Sequence, residues 1–153
     1  MATVYSTQRT NNRATPVVMN KANELSGRVR VAHGVYEASS LASGDVIEMF
    51  LLPDGARLLQ GSLAHDALGS STTLSVGFAA HTNKAGTAVS ASAAAYKAAA
   101  ASTSAAKSDI LATLALGSGT ETDTNEDGVA VTVTMGGAAG TGTIEVTILY
   151  ALD

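Results

Sequence analysis

Two runs in the last third of the chain alternate without a break. Val129, Val131, Val133 and Met135 take every second place, with Ala130, Thr132 and Thr134 between them. Ile144, Val146, Ile148 and Tyr150 do the same against Glu145, Thr147, Leu149 and Ala151. Successive side chains of a strand point to opposite faces, so each run has one apolar face to bury. The link Gly136-Gly137-Ala138-Ala139-Gly140 between them reads as the turn of a hairpin.

Residues 27–63 repeat the theme. Val29, Val31 and Val35 alternate with Arg28, Arg30 and Ala32, and a small-residue loop leads to the densest apolar run, Val46 to Leu52. That run has Ile47, Met49 and Leu51 on one face and Val46, Phe50 and Leu52 around Glu48 on the other. It predicts a strand covered on both sides. Glu48 reads as an edge residue, with pairing to an arginine such as Arg57 as the alternative. Pro53-Asp54-Gly55 then reverses the chain, because proline presets a turn's second position and glycine accepts the left-handed one later. Leu58, Leu59 and Leu63 run back.

Residues 66–72 are a loop by composition. Leu74, Val76 and Phe78 alternate with Ser75 and Gly77 as a half-buried strand, and Asn83-Lys84-Ala85-Gly86 marks a second turn. Residues 88–108 shift to Ala, Ser and Thr, with Tyr96, Lys97 and Lys107 almost the only larger side chains. Alanine is the best helix former, so a short helix over 91–101 is one reading. An ordered insertion lying flat on a sheet, a subunit contact, or a disordered linker are the others. Apolar Ile110, Leu111, Leu114 and Leu116 follow, which makes the segment an excursion within one domain. Hydrophobic residues are 46% of the chain but aromatics only 4%, with no Trp, so the core must be built from Val, Leu and Ile. Seven or eight strands with short connections predict an all-β, antiparallel sandwich, a jelly roll being the favoured variety and an up-and-down barrel the alternative. The 153 residues fit one such body over 27–153, preceded by an arm over 1–26.

The arm differs in charge from the body. Net charge is −4, yet residues 1–30 carry Arg9, Arg13, Lys21, Arg28 and Arg30 against Glu24. A basic arm on an acidic body predicts contact with an acidic partner, such as a neighbouring copy. The arm lacks helical periodicity, and Val17, Val18 and Met19 form an apolar patch after Pro16, so it reads as an extended segment that lies across a neighbour. Its contact residues are then Tyr5, Arg9, Arg13, Val17, Val18, Met19, Lys21, Arg28 and Arg30. The basic residues are too sparse, with only Tyr5 to stack, for nucleic-acid binding. The opening residues lack the apolar centre of a signal peptide, and no run of about 18 apolar residues could span a bilayer. Synthesis in the cytosol and no membrane partner are the expectation.

Candidate chemistry is thin. Asp123-Thr124-Asn125-Glu126-Asp127-Gly128 matches the first half of a calcium loop, but the twelfth position, where a bidentate glutamate belongs, is Thr134. An acidic turn is the better reading. His33, His65 and His81 share no metal-binding spacing, and His33 reads as a half-buried strand residue. There is no Gly-x-Ser-x-Gly elbow, and the glycines of 136–142 lack the lysine of a phosphate loop. The sequence therefore predicts no enzyme, no cofactor and no metal.

The opening Met1-Ala2-Thr3-Val4-Tyr5-Ser6-Thr7-Gln8-Arg9-Thr10, then Arg13-Ala14-Thr15-Pro16, Asn20-Lys21-Ala22-Asn23-Glu24, Gly27-Arg28-Val29-Arg30-Val31-Ala32 and Leu41-Ala42-Ser43-Gly44-Asp45-Val46-Ile47, resemble small virion structural proteins of tailed bacteriophages. Capsid decoration (cement) proteins are the nearest group, and the resemblance runs over nearly the whole chain except the Ala-rich stretch. It implies a β-sandwich body, often trimeric, that sits on the outer shell and clamps the major capsid protein across capsomer junctions, without a cofactor. The alternative is another virion component, a head fibre or a tail adhesin sandwich that binds a host-surface glycan. The scattered tyrosines, Tyr5, Tyr36, Tyr96 and Tyr150, weigh against a sugar platform.

Overall fold

The computed structural model describes residues 3–152; Met1 and Ala2 of the arm and Asp153 of the body lie outside the described residues. A short helix α1 (Thr7–Arg13) precedes the strands β1 (Arg28–Leu41), β2 (Val46–Leu52), β3 (Arg57–His65), β4 (Thr72–Phe78), β5 (His81–Thr82), β6 (Ala88–Val89), β7 (Ser92–Ala101), β8 (Ala106–Ile110), β9 (Val129–Gly137) and β10 (Gly140–Leu152). A 3-10 turn, Leu114–Leu116, lies between β8 and β9. Among the described residues no helix is long and apolar enough to cross a membrane.

The strands form two four-stranded sheets, ordered β1-β10-β3-β8 and β2-β9-β4-β7, and β5 and β6 make a small separate ladder. Every pairing is antiparallel. The chain changes sheet at each connection except the one from β4 to β7. Two packed sheets wound in this way are a jelly roll. The all-β sandwich expected from the sequence is therefore present.

β9 and β10 lie inside their sheets, and their apolar alternation faces the space between them. Val131, Val133, Ile144, Val146 and Ile148 are all 0% exposed. Each such side chain contributes about 1.5–3 kcal/mol relative to exposure. The expected hairpin between these two runs does not form. β9 pairs with β2 and β4, and β10 pairs with β1 and β3, so the glycine-rich link hands the chain from one sheet to the other. The turn at Pro53-Asp54-Gly55 does the same between β2 and β3, with Gly55 at φ 75°. Alternation identifies a buried face but not the neighbouring strand, which is why both links read as hairpin turns.

The Ala-rich stretch is neither helix, insertion nor linker. It supplies β6, β7 and the start of β8, and β7 is a full edge strand along β4. Gly77 explains part of the preference for small residues. A Cβ built there would fall on the Ser92 carbonyl oxygen, so β4 and β7 approach more closely than any side chain allows. Alanine's helix propensity, a fraction of a kcal/mol per residue, is outweighed by a ladder of backbone hydrogen bonds. The arm also departs from expectation. It contains α1, capped by Ser6, whose side chain accepts from the Arg9 amide, and it folds back instead of extending. Asn20 stitches the return, donating to the Gln8 carbonyl and Asn12 Oδ1 while accepting from Asn11 Nδ2. Polar side chains hold this turn, so no apolar period announced it.

β1 and β2 are edge strands, which corrects two further expectations. Val29, Val31 and Val35 are exposed, and β2 is covered on one face only, with Ile47 and Leu52 buried but Val46 and Leu51 outside. His33, on the outer face of β1, is exposed as well and does not sit half-buried. Val31 and Ile148 stand on neighbouring strands in similar alternating patterns. Ile148→Ala should lower the unfolding free energy by about 2–5 kcal/mol, whereas Val31→Ala should stay within about 0.5 kcal/mol. Denaturant midpoints of the two variants measure the difference.

Candidate functional site

Three surfaces hold the residues of interest. The first is the root of the arm. Lys21 Nζ lies 2.7 Å from Glu121 Oε2, and Arg57 Nη2 lies 3.2 Å from Glu24 Oε1 and 3.3 Å from Glu121 Oε2. Arg57 Nη1 also donates to the Gly119 carbonyl, and Asn23 Nδ2 to the Gly55 carbonyl. Arg57 is thus committed to the arm, and Glu48 stands exposed without it. The acidic partner of the basic arm is, at Lys21, its own body. Hydrogen bonding from Lys21 holds the Glu121 carboxyl below its ordinary range; partial burial opposes this and loses, while Asn23 and the charges of Lys21 and Arg57 add to it.

The other expected contact residues from Tyr5 to Met19 lie exposed. Tyr5 stacks under the Arg13 guanidinium at 4.7 Å, Arg9 is exposed on α1, and Val17, Val18 and Met19 are 61%, 49% and 87% exposed. Arg28 and Arg30 open β1, opposite Leu152 and Tyr150. The nine expected contact residues are therefore split between the folded arm and the start of an edge strand.

The second surface is the edge formed by β1 and β2. Val29, Val31 and Val35 make an outward row along β1, and Leu149 lies beside Val31 on β10. Val46 and Leu51 continue apolar exposure on β2. A long edge strand with unpaired backbone groups and an apolar face is a liability unless something covers it.

The third surface is a cleft of about 560 Å³ where the ends of β3, β4, β7 and β9 meet the 3-10 turn and residues 120–123. Phe78 lies in its lining, with the His81 ring edge-on at 5.5 Å and the Tyr96 ring tilted at 5.9 Å. Tyr96 is 5% exposed, and burial pushes its phenol up to about 12, so it stays a protonated donor. Its hydroxyl has no protein partner among the described residues. Sequence reading missed this site because Phe78, His81 and Tyr96 come from three strands.

The acidic loop 123–128 is structural. Asp123 Oδ1 accepts from the Lys84 amide, Glu126 Oε1 from the Thr82 amide, and Asp54 Oδ1 from the Thr124 amide. Lys84 Nζ closes the set, 2.6 Å from Asp54, and its hydrogen bond lowers that carboxyl's pKa. The loop thereby straps the β5–β6 ladder to the body. Ring nitrogens of His33, His65 and His81 meet Thr147 Oγ1, the Asp66 carbonyl and the Ala79 carbonyl respectively. Among the described residues no three His, Asp or Glu side chains converge as a metal ion requires.

No family model matches the chain, and no curated protein matches it. Solved structures do. A chain of the cyanophage Pam1 capsid asymmetric unit is 23% identical with a TM-score of 0.60, covering 83% of this chain and 86% of that one. A chain of the Ralstonia phage GP4 capsid is 21% identical with a TM-score of 0.63, over the same 83% and 86%. A chain of the acid-stable capsid of Helicobacter pylori bacteriophage KHP30 is 16% identical with a TM-score of 0.52, over 81% and 87%. At such identities the likeness is one of fold, over more than four-fifths of this chain.

The arm latch makes a pH prediction. A carboxylate held below its unfolded pKa stabilises the folded form while ionised. The Lys21–Glu121 contact is therefore at full strength above the ordinary glutamate range and is lost as pH falls through the depressed value. Glu121→Gln at neutral pH, or acidification of the parent, should lower the hydrogen-exchange protection factors of the Glu24 and Leu25 amides about fivefold, the worth of one partly exposed ion pair. Protection factors in β9 and β10 should not change.

Proposed function

We propose that this chain is a structural protein of a tailed-bacteriophage virion, a decoration (cement) protein that binds the outer surface of the head and links major capsid protein subunits across capsomer junctions. The reading includes self-association, a trimer being favoured, synthesis in the host cytoplasm, and no catalysed reaction. The observation that carries it is the jelly roll held in common with chains of three phage capsids over more than four-fifths of each length. The sequence resemblance points the same way. The chain's surfaces supply a physical means of attachment. The open β1–β2 edge offers apolar rows for a neighbour to cover, and the folded arm offers Val17, Val18 and Met19 beside Arg9 and Arg13. Several copies held together would bind a shell more tightly than one, because each attachment raises the effective concentration of the next.

Mass spectrometry of purified particles is the direct test. A fixed copy number relative to the major shell protein is expected, and absence from mature particles would overturn the reading. Deleting residues 1–24 removes Lys21 and Glu24 but leaves Arg57 paired with Glu121, so the body should stay folded while shell occupancy drops. Val31→Lys, neutral for folding, should weaken the same attachment.

A further inference from the structure

We propose that the cleft around Phe78, His81 and Tyr96 is a binding site for a neutral pyranose, as a free sugar or as one ring of a glycan. A cleft of about 560 Å³ falls within the range of small-molecule sites. Its walls contain no Lys or Arg, so nothing in them attracts a phosphate or a carboxylate. Its lining includes an aromatic cluster, Phe78 flanked by the His81 and Tyr96 rings at 5.5 and 5.9 Å.

The polar groups of the wall divide into two sets. Glu121 is held by Lys21 and Arg57, Thr122 by the Pro53 and Ala56 carbonyls, and Thr120 by the Gly117 carbonyl. These position the cleft and have little capacity left. The second set has capacity. The Tyr96 hydroxyl and the Ser92 side chain have no hydrogen-bond partner among the described residues, and Tyr96 is 5% exposed. His81 Nδ1 lies 3.1 Å from the Ala79 carbonyl, so in the neutral ring it carries the proton and leaves Nε2 as an acceptor. Asn83 uses Oδ1 on the Thr87 amide, which leaves its NH2 group as a donor, and Asp123 uses Oδ1 on the Lys84 amide, which leaves Oδ2 as an acceptor. An apolar peptide side chain would pack on the aromatic cluster and leave all five of these groups unanswered. A pyranose answers both sets at once: its C–H face is apolar, and its ring of hydroxyls both donates and accepts. Donor and acceptor are interspersed in the wall as they are on a sugar.

The site does not depend on the attachment reading. β7, which carries Ser92 and Tyr96, lies at the opposite edge of its sheet from β2, so a sugar here and a shell at the β1–β2 edge need not compete.

The test uses the full chain and a fixed panel: glucose, galactose, mannose, N-acetylglucosamine, N-acetylgalactosamine and rhamnose, together with lactose and cellobiose. Chemical-shift mapping by NMR should find at least one that saturates in the millimolar range, the affinity a single ring can reach. The shifts should centre on Ser92, Tyr96, His81 and Asn83. A disaccharide that binds more tightly than its monosaccharides would support a glycan as the source, and equal affinity would support a free sugar. Tyr96→Phe keeps the ring and removes an unpaired hydroxyl, so it should fold normally and weaken binding about five- to tenfold. Ala115→Trp, at the exposed rim, should block the cleft. No response to any sugar of the panel would overturn the proposal, and so would shifts that persist unchanged in both variants. Either failure would leave attachment to particles untouched.

Discussion

The structure depends on one core shared between two sheets. β9 contributes Val131, Val133 and Met135 from one sheet, and β10 contributes Ile144, Val146 and Ile148 from the other. Since the two strands are consecutive in the chain but belong to different sheets, the link between them must cross the core's end. The same crossing recurs along the chain and spreads the sequence evenly over both layers. Leu58, Leu63, Leu74 and Val76 join the cluster from β3 and β4, so all four inner strands hold the layers together. With few aromatics, the packing relies on β-branched and leucine side chains that fit a pleated surface.

That arrangement leaves its cost at the margins. A jelly roll of two open sheets has four edges, and here they differ. β7 is nearly all alanine and β8 is short, so one side presents little apolar surface. β1 is 14 residues long with three exposed valines, and β2 adds Val46 and Leu51. Such an edge is stable in isolation only if kept from pairing. The asymmetry between the two sides gives the molecule a direction: an apolar edge, and a quieter one beside the cleft.

Charge organises the parts that the core does not reach. Arg57, at the start of β3, gathers Glu24 of the arm and Glu121 of the long loop. Lys84 gathers Asp54, and the neighbouring amides gather Asp123 and Glu126. These contacts are partly exposed and individually weak. Together they determine where the arm leaves the body and where the wall of the cleft stands. The acidic loop that resembled half a calcium site is thereby accounted for as a strap.

Much of this was legible in the residues. Alternation picked out the buried faces of β9 and β10, the composition pointed to a Val, Leu and Ile core, and the turns at Pro53-Asp54-Gly55 and Asn83-Lys84-Ala85-Gly86 fall where chain reversal was expected. An all-β sandwich follows from local patterns, because a two-residue period is a property of a single strand. Partnership between strands is not local. Whether Val31 is core or surface, whether the glycine link closes a hairpin or crosses between sheets, and whether alanines 93–101 coil or extend all depend on which strand lies alongside. Only the tertiary structure decides that, through backbone hydrogen bonds and packing between residues far apart in sequence. The cleft illustrates the same limit: Phe78, His81 and Tyr96 carry no spacing signal, and they become a cluster only when β4, β5 and β7 are brought to one end of the sandwich.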